Sequence, residues 1–152
     1  MLANPLARSS VAKMATEFAG IALPPGGKVR GLGTDLIECA RIARVLERQG
    51  ERFLRRVYTP GERAYCEKMR NPTPFFAARF AAKEAVAKAF TTGIGPYLGW
   101  KSIEVVKGPR EEPHIRLDER GEALLQHLGA SRVLITLAHT EFYGHAVALV
   151  VE

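Results

Sequence analysis

Asp35 stands inside an apolar run, Val29 to Glu38, that reads VRGLGTDLIE. An acid in such a place is costly to bury unless a cation, a metal ion or several hydrogen-bond donors meet it; the alternative is that it caps the helix that follows. A second set of charges, Arg79, Lys83, Glu84 and Lys88, lies within an alanine-rich stretch from Phe75 to Phe90, FFAARFAAKEAVAKAF. On a helix Glu84 and Lys88 sit one turn apart, which taken alone reads as a surface ion pair. Their setting among alanines and phenylalanines argues instead for a face that meets something closely. Arg41, Arg44, Arg48, Arg52 and Arg55 recur at spacings of three and four. Such a stripe is either a solvated face with partners such as Glu47 and Glu51, or a docking surface for an anion. Arginine forks suit carboxylates and phosphates, and the stripe lacks the interleaved aromatics of a single-strand nucleic-acid platform. His139 and Thr140 fall at the mouth of a hairpin, where a histidine is structural or functional. Gly93 and Gly95 either end a helix or let backbone amides approach a phosphate.

Certain elements must position these groups. Val29–Glu38 alternates as a strand, with Gly31 and Gly33 where a backbone or ligand approaches. The chain turns helical from Ala40, carrying the arginines. Thr59, Pro60 and Glu62 form a capping box that opens a helix to about Met69. Asn71-Pro72-Thr73-Pro74 breaks that helix and launches the central one, whose apolar residues Phe76, Phe80, Ala87 and Phe90 follow a buried stripe. It stops at Thr91-Thr92-Gly93-Ile94-Gly95-Pro96, with Gly93 expected as the left-handed residue past the helix end. Ser102–Lys107 and His114–Leu117 read as strands, Asp118–Leu128 as a helix, and Arg132–Ala138 with His145–Val151 as a hairpin joined by six residues. This order is α+β rather than strictly alternating.

Composition narrows the field. A chain of 152 residues with 47% hydrophobic and 25% charged residues fits one globular domain with a real core. The apolar runs at 132–138 and 145–151 are too short to cross a bilayer as helices. Two cysteines, Cys39 and Cys66, lack metal-ligand spacing and suggest a reducing, cytoplasmic setting. The formal charge of +6 points to an acidic partner without naming it. Residues 1–28 are thinly patterned and end in Leu23-Pro24-Pro25-Gly26-Gly27, so they are expected to form a flexible N-terminal arm, with the domain proper over 29–152.

Taken together, Gly33-Thr34-Asp35-Leu36-Ile37-Glu38, then Arg41-Ile42, then Arg79-Phe80-Ala81-Ala82-Lys83-Glu84-Ala85 with Lys88-Ala89-Phe90 and Thr92-Gly93-Ile94-Gly95, resemble the holo-acyl-carrier-protein synthase family of phosphopantetheinyl transferases. The resemblance spans about Val29 to Glu152, and the GxD strand followed about fifty residues later by a KEA helix is its most specific part. It implies the 4′-phosphopantetheinyl transferase fold, a small antiparallel sheet packed on a long central helix, in a homotrimer with coenzyme A between neighbouring subunits. It also implies transfer of 4′-phosphopantetheine from coenzyme A to a serine of apo-acyl carrier protein in fatty acid biosynthesis, with adenosine 3′,5′-bisphosphate leaving.

The resemblance further implies roles. Asp35 and Glu84 would hold Mg²⁺, a metal that commonly takes one or two carboxylates plus phosphates and water. Lys88 would neutralise the pyrophosphate, and Glu84 or a water on the metal would be the base. Arg79, Lys83, Gly93, Gly95, His139 and Thr140 would hold coenzyme A beside Lys88. Arg41, Arg48 and Arg52, with Arg44 added from the stripe, would face the acidic helix of the carrier protein. Thr91 stands where relatives usually have glycine, Ala138 replaces a commonly polar residue, and the arm has no counterpart. The competing readings are a basic nucleic-acid-binding module, which has no use for Asp35 or Glu84, and a coenzyme A-binding protein without transfer. Neither nucleic acid nor a membrane is the expected partner.

Overall fold

Residues 26–152 are described by the structure, a computed structural model; the expected arm lies, up to residue 25, outside the described residues. Strand β1 (Val29–Glu38) feeds helices α1 (Cys39–Gln49), α2 (Glu51–Val57), α3 (Pro60–Glu67) and the long α4 (Thr73–Ala89). After a 3₁₀ turn at Trp100–Ser102 come β2 (Ile103–Lys107), β3 (Pro113–Leu117), α5 (Glu119–His127), β4 (Arg132–His139) and β5 (Tyr143–Val151). The strands form an antiparallel sheet in the order β1-β5-β4 and a separate β2-β3 hairpin. This is the α+β arrangement expected, with the sheet laid on the central helix.

The close neighbour of the alanine-rich face is β1. A Cβ added at Gly33 would stand 1.9 Å from the Ala85 carbonyl oxygen, and one at Gly31 would stand 2.0 Å from that of Ala89. Glycine facing alanine thus brings strand and helix backbones together at a distance no side chain permits. Strand alternation then puts Gly31, Gly33, Asp35 and Ile37 on the helix side, and Leu32, Thr34 and Leu36 on the other. Leu32 and Leu36 are 64% and 63% exposed, so the outer face of the sheet is apolar and uncovered in the single chain.

Three local expectations change. The arginine-bearing segment is not one helix: Gly50, at φ 47°, ends α1 and precedes α2. Arg52 and Arg55 therefore stand on a different axis from Arg41, Arg44 and Arg48. The β4–β5 connection is 140–142 rather than six residues, because Thr140 Oγ1 accepts from the amides of Phe142 and Tyr143 and tightens the turn. At the end of α4 the left-handed residue is Thr91, at φ 60°. Its amide donates to Lys88 O and that of Thr92 to Ala87 O, the hydrogen-bond pair of a Schellman cap. Gly93, also left-handed at φ 62°, lies two residues further on.

Candidate active site

On the helix side of β1, Asp35 meets the last turns of α4. Lys88 Nζ lies 2.8 Å from Asp35 Oδ1 and donates to Thr34 O at 3.0 Å. The plain i,i+4 pairing of Lys88 with Glu84 is therefore not the one formed. The Lys88 side chain is 50% exposed and that of Asp35 17%, so the pair borders solvent. Glu84, one turn before Lys88, is half-buried. Burial pushes its carboxyl above the ordinary range and the negative charge of Asp35 adds to this, while Lys88 and Arg41 pull the other way. Two acids, a lysine and an arginine thus share one electrostatic locus, and Asp35 is not a helix cap, since the residue preceding α1 is Glu38.

Two neighbouring carboxylates, one of them made costly to ionise first by burial and then by the other's charge, are a fitting pair for a divalent cation, which would relieve both. Among the described residues no group of three or more His, Cys, Asp and Glu side chains could form a metal cage. This donor set suits Mg²⁺, which keeps waters and takes further oxygens from a phosphorylated substrate.

The remaining expected residues fall into separate groups. Arg79 is buried, with its guanidinium 3.9 Å over the Tyr65 ring, and its Nε meets no hydrogen-bond partner among the described residues. His139 is exposed and packs 4.4 Å from the Phe75 ring, with Thr140 beside it. Arg79 and Lys88 are nine residues apart, about half a turn out of phase, so they leave α4 on opposite sides. Gly93 and Gly95 lie in the partly exposed loop after α4. Arg41, Arg44, Arg48 and Arg52 are all exposed. A groove of about 270 Å³ opens beside Arg41, lined by Ile37, Arg41, Val45, Phe53, Arg56 and Phe80 among others.

Lys83 departs from its expected place. Its side chain is fully buried, 2.8 Å from Glu62 Oε2, and it donates to Trp100 O and Ile103 O. A lysine ammonium has three donors, and all three are engaged inside the chain, which leaves none to offer coenzyme A. The capping box flagged Glu62, but nothing local in the sequence ties it to Lys83. A cavity of about 580 Å³ opens between the start of α1 and the β4–β5 turn and is lined by none of the expected site residues. Both cysteines are buried, and burial pushes the Cys66 thiol up to about 12.

Fold and site describe an α+β domain that presents paired carboxylates and a lysine at the edge where strand meets helix. Residues 31–148 match the 4′-phosphopantetheinyl transferase superfamily, and the chain belongs to that superfamily. It is 45% identical over 118 residues to holo-[acyl-carrier-protein] synthase of Chlamydia felis, covering 78% of this chain and 93% of the relative. To the protein of that name from Chlamydia trachomatis serovar D it is 48% identical over 119 residues, covering 78% and 97%. Among solved structures, holo-[acyl-carrier-protein] synthase from Neisseria meningitidis superposes with a TM-score of 0.75 at 30% identity, covering 81% of this chain and 98% of that one. The Helicobacter pylori enzyme, in complex with coenzyme A, superposes at 0.70 with 28% identity, covering 78% and 98%.

Proposed function

We propose that this chain is a holo-[acyl-carrier-protein] synthase, transferring 4′-phosphopantetheine from coenzyme A to a serine hydroxyl of apo-acyl carrier protein and releasing adenosine 3′,5′-bisphosphate. Residues 29–152 are its transferase domain and its setting is the cytoplasm. The observation that carries the reading is the convergence of Asp35, Glu84 and Lys88 across the β1–α4 contact. The serine oxygen attacks the phosphorus on the pantetheine side of the diphosphate, and the bond to the bridging oxygen breaks toward the nucleotide. Lys88 neutralises charge on the leaving phosphate, and Arg79, Gly93, Gly95, His139 and Thr140 contribute to holding coenzyme A. Glu84, more basic than an exposed carboxylate, is the chain's own acceptor for the serine proton. Asp35 and Glu84 together hold Mg²⁺, which when bound supplies charge neutralisation to the diphosphate.

Arg41, Arg44, Arg48 and Arg52 face the acidic carrier protein, with Val45, Phe53 and Phe80 in the groove beside Arg41 receiving its uncharged contacts. The active form is a homotrimer with coenzyme A between subunits. The uncovered apolar face at Leu32 and Leu36 supports this, as does the divergence of Arg79 and Lys88, which suits one cofactor spanning two copies. Light scattering is expected to give three times 16.7 kDa. The deciding assay combines purified protein, coenzyme A, Mg²⁺ and an apo carrier protein, followed by intact mass. A phosphopantetheine increment on the carrier is expected, and an unmodified carrier would overturn the reading.

A further inference from the structure

Where strand and helix meet through glycine and alanine, backbones approach closely but little stops one from sliding or turning against the other. Gly31 and Gly33 lie against the carbonyls of Ala89 and Ala85, and the polar tie across that contact is the solvent-bordering one from Lys88 to Asp35 and Thr34 O. Yet Glu84 and Lys88 act at that contact, and their usefulness depends on the rotation and axial position of α4. A fully buried charged anchor on another side of the helix is Lys83. It lies 2.8 Å from Glu62 Oε2 and donates to Trp100 O at 2.8 Å and Ile103 O at 2.6 Å. Glu62 is held in turn, accepting from the amides of Thr59 and Val105, each at 2.9 Å. The node therefore ties the start of α3, the middle of α4, the end of the loop after α4, and β2.

We infer that Lys83, through its buried pair with Glu62, is a positioning residue that fixes α4 so that the adjacent Glu84 faces Asp35, and that it does not touch coenzyme A. A buried ion pair is weak evidence for stability, since apolar residues of like volume often serve as well. What a fully satisfied pair adds is a defined geometry. The residue it defines here is its own neighbour, and misplacing a reacting group by 1 Å costs about 100-fold in rate.

This inference rests on the transferase reading, so its test includes a measurement independent of transfer. Lys83→Met and, where that variant does not fold, Glu62→Gln are compared with wild type at a temperature where circular dichroism shows full folding. Expected is a fall in kcat of about 100-fold, with KM and calorimetric Kd for coenzyme A within about twofold of wild type. The rise in Tm on adding Mg²⁺ should disappear with it, because Glu84 no longer joins Asp35. A large rise in Kd for coenzyme A with kcat preserved would make Lys83 a ligand and overturn the inference. A lower Tm with wild-type turnover per folded molecule and an intact Mg²⁺ response would also overturn it. A wild type that leaves the carrier unmodified defeats the transferase reading, and the Mg²⁺ response then still decides the positioning role.

Discussion

Two lysine–carboxylate pairs, each at 2.8 Å, use lysines five residues apart on α4. In Lys83–Glu62 both side chains are fully buried, whereas in Lys88–Asp35 the lysine is 50% exposed. Five residues rotate a helix by about 140°, so one pair faces the α3–β2 side and the other the strand edge. The buried pair is saturated by backbone groups and has no capacity left for a ligand. The edge pair keeps donors and acceptors free toward solvent, and Glu84 stands beside it carrying an unfavourable charge. A rigid, satisfied node beside an unsatisfied, electrostatically tense one is what a site needs if it is to hold its geometry and still bind something.

The largest expected effect separates function from stability at the edge. Glu84→Gln should lower turnover by about 10³-fold, within the range for a lost acid–base group. It should also raise the Tm of the metal-free protein at pH 7. The sign follows from linkage: the Glu84 carboxyl lies above its ordinary range in the folded state, so the fold gains from its protonation at low pH. That gain is lost as pH rises through the folded value, and a neutral amide removes the dependence. Wild type should therefore approach the variant's Tm below pH 4, and Mg²⁺ should raise Tm in wild type and not in Glu84→Gln. A variant with wild-type turnover would remove Glu84 from the mechanism.

Glu62→Ala tests the other side of the comparison. It strands the Lys83 ammonium in a dry interior and strips acceptors from the amides of Thr59 and Val105. A loss of about 3–5 kcal/mol in unfolding free energy is expected by urea titration. Lys88→Met, whose partner borders solvent, should cost under about 1 kcal/mol. Equal losses would mean that burial is not what distinguishes the pairs.

Much of this contrast was hidden in the sequence. The GxD strand, the alanine-rich helix and the Thr59–Glu62 capping box are local patterns, and each is found where its pattern puts it. Asp35, Glu84 and Lys88 converge because strand alternation and helical period place them on facing sides of one contact. The buried setting of Lys83 is not legible, because its surroundings in sequence match those of Lys88 and its partners lie 21 residues before and 17 and 20 after it. The break at Gly50 was equally illegible, since a lone glycine is tolerated inside a helix and the arginine spacing runs through it.

The exposed arginines occupy a third environment, and the expected effect there is smaller and depends on salt. Raising ionic strength from 0.05 to 0.5 M shortens the screening length about threefold, so exposed charges on two approaching proteins attract over a much shorter range. KM for the carrier protein should rise about tenfold while KM for coenzyme A moves little. Arg48→Glu should mimic the salt effect more fully than Arg52→Glu, because Arg48 shares α1 with Arg41 and Arg44 and Arg52 lies past the break. Equal salt effects on both substrates would argue against a separate docking face.

The smallest effect concerns the loop that links the two pairs, since it leaves α4 just after Lys88 and returns at Trp100 to Lys83. Its first residue, Thr91, holds φ 60° at the position where a Schellman cap ordinarily takes glycine. A left-handed conformation costs a residue with a Cβ about 1–2 kcal/mol, and glycine gives back part of that through its freer unfolded chain. Thr91→Gly should therefore stabilise by about 1 kcal/mol, a rise of about 2–4 °C in Tm for a chain of this size. Thr91→Ala keeps a Cβ and should recover much less. If the alanine variant gains as much as the glycine variant, the backbone at Thr91 is not strained, and the loop is held by its two ends alone.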